Sequence, residues 1–212
     1  MNAFNFMDGA NGLAAGAAAT GLAWFAVFAG LSGAPVLAVA GLLLSLAAAG
    51  FLPDNLVRGK IFMGDNGSQM LGFLIAAFAI LSANWTENRM SALVTPVIFL
   101  PFIFDVVWTL VSRLLRKRNV LEAHREHLYQ LLLRGGASHT RVAVIYMGLV
   151  SFSAAAAALM LTFPPSLQWI APMMLALLFS SAAARITVRA YKSGLLADAP
   201  KADADEALQA AQ

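Results

Sequence analysis

Apolar residues in this chain fall in long unbroken runs rather than in the narrow periodic stripes of a soluble domain. Six runs stand out, at about 13–31, 34–52, 69–83, 92–111, 142–162 and 168–187. Each approaches the ~20 residues that carry a helix across the hydrocarbon core, which predicts an all-α, polytopic bundle of about six transmembrane spans. The third run is short, about 15 residues, and opens after Gly67-Ser68. Its helix is expected to begin in a polar cavity, where protein or water satisfies irregular backbone. Alanine-rich stretches at 14–19 and 154–158 predict close helix contact through small side chains. The runs define a membrane region, 1–193. The Ala- and Asp-rich tail, 194–212, has no large apolar face and is expected to be disordered.

Charge orients these spans. Of the 14 Lys and Arg residues, Arg89 alone falls on one side, and the rest fall on the side of the termini, which the positive-inside rule makes cytoplasmic. Trp85 and Trp169 flank the short loops on the opposite side, as an aromatic belt requires. Composition agrees: 60% of residues are hydrophobic, 12% charged, and the mean hydropathy is +0.74. The net charge of +3 is spread between apolar runs and forms no isolated patch, so a nucleic-acid partner is not expected. With no cysteine, disulfides and thiolate metal sites are excluded. The start, Met1 to Asp8, has no basic region ahead of an apolar run and is no signal peptide; opening directly on a polar motif, it is expected to follow missing upstream sequence.

Three polar segments then share the cytoplasmic face: 1–12, 53–68 and 112–141. In the first, Asn2, Asn5 and Asp8 recur at intervals of three, with Asn11 after them. On a helix that spacing gives one face able to meet one ligand, and the glycines between allow close backbone approach to an anion. Ordinary Asx capping would use the same residues. The second segment holds Gly64-Asp65-Asn66-Gly67-Ser68, with its single acid in a Gly-flanked turn. A lone carboxylate there suits Mg²⁺, which takes oxygen ligands and keeps one or two carboxylates beside substrate phosphates. A capped turn is the plainer alternative.

The third segment carries His124 and His127 around Arg125, then Tyr129 and Gln130. Histidines at i and i+3 would share a helix face and could bind phosphate or move protons; a solvated basic helix is the other reading. His139, beside Ser138, is read as an interfacial or capping residue. Asp105 lies in the fourth apolar run after Pro96 and Pro101. An acid there marks a functional interior, unless it pairs with Arg113 or Arg116.

Taken in this order, the three segments resemble the polyprenyl-phosphate N-acetylhexosamine-1-phosphate transferases (glycosyltransferase family 4). The stretch Asn2 to Gly12 looks like that family's Asn/Asp-Gly motif, Gly64 to Ser68 its Gly-Asp-x-Gly-Ser motif, and His124 to Gln130 its histidine motif. The last is more similar to the branch initiating O-antigen and related lipopolysaccharide than to the peptidoglycan branch. The resemblance implies a bacterial inner-membrane enzyme that transfers sugar-1-phosphate from a UDP-N-acetylhexosamine to undecaprenyl phosphate and releases UMP. It implies Asp65, Asp8, His124 and His127 as catalytic, with Asp65 holding Mg²⁺ (Mn²⁺ as a substitute). Asn2, Asn5, Asn11, Arg125, Tyr129 and Asp105 become substrate-binding, and a homodimer is admitted. Asn11 stands where the family usually has a second Asp. The family's upstream Asp-Asp pair is nowhere in this chain, which is therefore expected to be truncated at its N-terminus. The alternatives are a noncatalytic bundle, such as a transporter fragment with Asp65, Asp105 and the histidines along a path, or a lipid-phosphate-binding scaffold.

Overall fold

In a computed structural model, residues 2–85, 90–120, 122 and 124–196 are described, apart from the side chain of Trp85. The expectations for Trp85 and Arg89 fall outside this set, as does most of the tail. The regular elements among the described residues are all helices, with no strand among them. Elements in chain order are α1 (Asn2–Phe6), α2 (Leu13–Leu31), α3 (Pro35–Leu52), a π-helical turn (Pro53–Val57), α4 (Gly64–Trp85), α5 (Val94–Ile98), α6 (Leu100–Leu115), α7 (Leu128–Arg134), α8 (His139–Met160) and α9 (Ile170–Lys192).

Among the described residues, five helices are long and apolar enough to cross a membrane: α2, α3 with its π turn, α4, α8 and α9. The sixth expected span is the exception. Its run is broken at Phe99 into α5 and α6, because Pro101 has no amide to continue the ladder, and the Phe99 amide turns back to Thr95. The short third run is explained too. The polar residues from Gly64 to Ser68 form the first turn of α4 and lengthen it to 22 residues.

Helix α2 is the most enclosed of the five, with most of its surface inside the bundle. Its small side chains let α3 and α8 approach closely, and Ser45 donates to the Ala19 carbonyl at 2.6 Å. The α5–α6 break packs onto the same helix: a Cβ added at Gly21 would lie 2.3 Å from the Phe99 ring. Both residues are in the core, so Gly21→Ala is expected to cost about 1–3 kcal/mol by overpacking, read as a lower melting temperature in detergent. Trp169 is exposed just ahead of α9, where a belt residue belongs. Beyond α9, Gly194 takes a left-handed φ and Leu196, inside the expected tail, packs against Leu131 and Ala190.

Candidate active site

The three polar segments meet at one end of the bundle. Helix α1 packs on the start of α4, where the fully buried Ser68 hydroxyl lies 2.9 Å from Asn5 Oδ1. Only Asn2 and Asn5 of the first motif are helical; the chain leaves α1 after Phe6, so Asp8 reaches the site from a turn. Asn55, unremarked in the sequence, joins the first two segments: its Oδ1 accepts the Gly12 amide at 2.6 Å and its Nδ2 donates to the Ile61 carbonyl at 2.8 Å. Buried at the π turn, it fixes Gly12 at φ 76°, where a Cβ would also strike Leu56. Its position after Pro53 in a polar loop was the available signal. On the other side, the Asn11 amide donates to His139 Nδ1 at 3.1 Å, and Ser138 caps α8 by accepting from Arg141.

Asp65 stands exposed in the first turn of α4, where unsatisfied amides favour negative charge. Asp8 is half-buried beside it. Burial pushes the Asp8 carboxyl up to about 6, the Asp65 charge adds to the rise, and the Gly64 amide opposes it. Two facing carboxylates with this mutual cost fit a divalent cation held by oxygen. Among the described residues no group of three His, Cys, Asp or Glu converges, so such an ion would take one or two protein ligands and leave the rest to phosphates and water.

The histidine motif is built differently from its expectation. Helix α7 begins only at Leu128, so His124 and His127 do not share a helical face. They are stacked instead, with ring centroids 5.3 Å apart, and Phe6 stacks on His127 at 5.8 Å. The His127 amide donates to the Gln130 side-chain oxygen at 3.1 Å, just ahead of α7. The His124 ring donates from Nδ1 to the Glu122 carbonyl (3.0 Å), and its Nε2 has no partner among the described residues. Burial lowers the His124 pKa, with the Arg113 and His127 charges acting in the same direction. Arg125 is exposed. Tyr129 is fully buried and serves as a strut: its hydroxyl donates to the Phe6 carbonyl at 3.0 Å, and burial pushes it up to about 12.

Asp105 has no exposed surface, and donors of this chain surround both its oxygens. Oδ1 takes the Leu128 amide (2.9 Å), His127 Nδ1 (3.1 Å) and Thr109 (3.3 Å); Oδ2 takes the Tyr129 amide (3.2 Å) and the Tyr146 hydroxyl. The arginines offered as its alternative partners go elsewhere. Arg113 meets Glu126 at 2.6 Å and Arg116 bonds the other Glu126 oxygen. The sequence offered no pointer to Tyr146, a lone phenol inside an apolar run.

This arrangement defines a multi-pass helical membrane protein with a polar site assembled from three polar segments. The sequence profile of glycosyl transferase family 4 matches residues 1–83. The chain is 37% identical over 153 residues to the probable undecaprenyl-phosphate N-acetylglucosaminyl 1-phosphate transferase of Bacillus subtilis, covering 71% of this chain and 42% of that protein. It is 38% identical over 178 residues to the decaprenyl-phosphate N-acetylglucosaminephosphotransferase of Mycobacterium tuberculosis (73% and 44%), and 31% identical over 126 residues to a phospho-N-acetylmuramoyl-pentapeptide-transferase of Staphylococcus epidermidis (59% and 38%). The chain belongs to the polyprenyl-phosphate hexosamine-1-phosphate transferase family. It spans less than half the length of these curated relatives.

Proposed function

We propose that this chain carries the site for transferring N-acetylhexosamine-1-phosphate from a UDP-sugar to undecaprenyl phosphate at the cytoplasmic face of the bacterial plasma membrane. The observation that carries this reading is the meeting of the Asp8–Asp65 pair with the stacked His124–His127 pair, through Ser68–Asn5 and Tyr129–Phe6. Polar groups gathered at one end suit a surface reaction better than a translocation path. The greater identity to the two N-acetylglucosaminyl transferases than to the pentapeptide transferase favours a simple hexosamine donor. The product would initiate a cell-envelope polysaccharide of the O-antigen kind.

In the reaction, a phosphate oxygen of the prenyl phosphate attacks the β-phosphorus of the UDP-sugar. A new P–O–P bond forms, the bond to the bridging oxygen breaks, and UMP leaves. Such transfer needs positioning and charge neutralisation more than covalent help. Asp65, with Asp8 beside it, would hold Mg²⁺, which supplies positive charge to the diphosphate when bound. His124, His127 and Arg125 provide donors for the donor phosphates, and Asn2, Asn5 and Asn11 orient the nucleotide sugar. An apolar cavity of about 300 Å³ beside Phe4, lined by Ile75, Phe99 and Phe102, offers room for the first prenyl units.

The test is Mg²⁺-dependent release of UMP from UDP-N-acetylglucosamine and undecaprenyl phosphate in detergent or liposomes. Turnover supports the reading; no turnover by a chain carrying a complete site would overturn it. A second expectation follows from Asp8. Its folded pKa of about 6 lies above the ordinary carboxyl value of 3.8, so its contribution is fully present below pH 4 and lost as pH rises through about 6. The Asp8-linked part of the melting temperature should therefore fall between about pH 4 and 6, and Mg²⁺ should recover it. Asp8→Asn should remove both effects in thermal scans.

A further inference from the structure

We infer that Asp105 is a positioning residue: from inside the bundle it holds the His127 imidazole with its proton on Nδ1 and leaves Nε2 for the ligand. The inference deepens the transferase reading, on which it rests only for what Nε2 then meets.

The argument begins with satisfaction of a buried charge. An ionised carboxylate can only accept, and one taken wholly out of water is costly unless its lone pairs are filled. Asp105 is such a group. The Leu128 and Tyr129 amides can only donate to it, and Tyr146 and Thr109 are hydroxyls oriented toward it from α8 and one turn along α6. The fifth contact is His127 Nδ1, 3.1 Å from Oδ1. Facing an acceptor already held by amides, Nδ1 must carry hydrogen. In a neutral ring Nε2 is then the acceptor, and in an imidazolium it is a second donor.

Geometry fixes the rest of the ring. His124, Phe6 and Tyr129 stack against His127 with centroids 5.3, 5.8 and 6.0 Å away, so its plane is set by three aromatic neighbours as well as by Asp105. The ring is almost wholly buried, and its hydrogen bond to Asp105 runs through Nδ1, on the side away from Nε2. This leaves Nε2 as the ring atom that can address a phosphate. Asp105 itself, with no exposed surface, cannot touch substrate, so its place among substrate-binding residues gives way to this one. It acts through His127, as outer partners of histidine ligands do when they fix tautomer and orientation.

The experiment uses the full chain in phosphatidylethanolamine/phosphatidylglycerol liposomes, labelled with ¹⁵N-histidine, and reads each ring nitrogen by solid-state NMR. The chain has three histidines, and His127→Gln identifies the signal. The expected result is a protonated Nδ1 in the wild type, and a shift of population toward protonated Nε2 in Asp105→Asn, whose amide can offer hydrogen where the carboxylate accepted it. Asp105→Glu should restore the wild-type pattern in part. Inorganic phosphate, as a probe, should move the Nε2 resonance more than Nδ1. A wild-type His127 protonated at Nε2 alone would overturn the inference even if every Asp105 variant failed to fold, and so would an unchanged tautomer in a folded Asp105→Asn. In the UMP assay, Asp105→Asn is expected to lower turnover roughly 10–100-fold, the scale seen for lost outer partners. Absence of UMP release by a chain carrying a complete site would count against the transferase reading and leave the tautomer result standing.

Discussion

Asp65→Asn is expected to lower Mg²⁺-dependent UMP release by about 10²–10³-fold, the scale on which loss of one charge-stabilising group at a reacting centre is felt. The same change should barely touch the fold. Asp65 is exposed, so the loss is limited to the favourable field of its carboxylate on the first turn of α4, worth roughly 0.3–1 kcal/mol. A large drop in rate with a small drop in melting temperature therefore separates a metal role from a capping role. A companion measurement sharpens the assignment. Removing the Asp65 charge takes away one cause of the raised Asp8 pKa, so the acid limb of stability should move down while the Mg²⁺ effect shrinks. If UMP release by Asp65→Asn matched the wild type, the carboxylate would not be the metal ligand.

Which parts of this site could be read from the sequence follows from what each part depends on. Apolar runs of membrane length announce themselves, because lipid demands them along the chain. The break at Phe99 was harder to place: Pro96 and Pro101 were visible, but two prolines in an apolar run are equally compatible with a kinked continuous helix. The polar motifs were legible as residue types at set intervals. Their local conformation was not, since periodicity of three suggested helical faces where the chain in fact turns after Phe6 and enters α7 only at Leu128. His124 and His127 still meet, by stacking of irregular backbone. Contacts across long sequence separation were invisible altogether. Nothing near Asn55 indicates Gly12, and nothing near Tyr146 indicates Asp105, because these pairs exist only once α3 has packed on α2 and α8 on α6.

The contact between the first and third segments can be tested by a pair of substitutions that share one volume. A Cβ at Gly9 would lie 2.1 Å from the Tyr129 hydroxyl oxygen, and Tyr129 has no free space to retreat into, being fully buried. Gly9→Ala is thus expected to displace the phenol, break its bond to the Phe6 carbonyl, and destabilise the chain by about 1–3 kcal/mol, as overpacking does. It should also reduce transfer activity, because Phe6 and Tyr129 both stack on His127. Tyr129→Phe alone loses two hydrogen bonds, the one donated to the Phe6 carbonyl and the one accepted from the Gln130 side-chain amide, each typically worth about 0.5–1.5 kcal/mol, and leaves the ring in place. In the double variant the hydroxyl that the new methyl would strike is gone, and the next ring atom is 3.1 Å away, a gap a small shift can open. The two changes should therefore cost less together than the sum of their separate effects, with a coupling of about 0.5–3 kcal/mol in thermal or chemical denaturation. Simple additivity would mean that Gly9 and Tyr129 do not touch, and that the histidine motif is held against the first segment by something other than this strut.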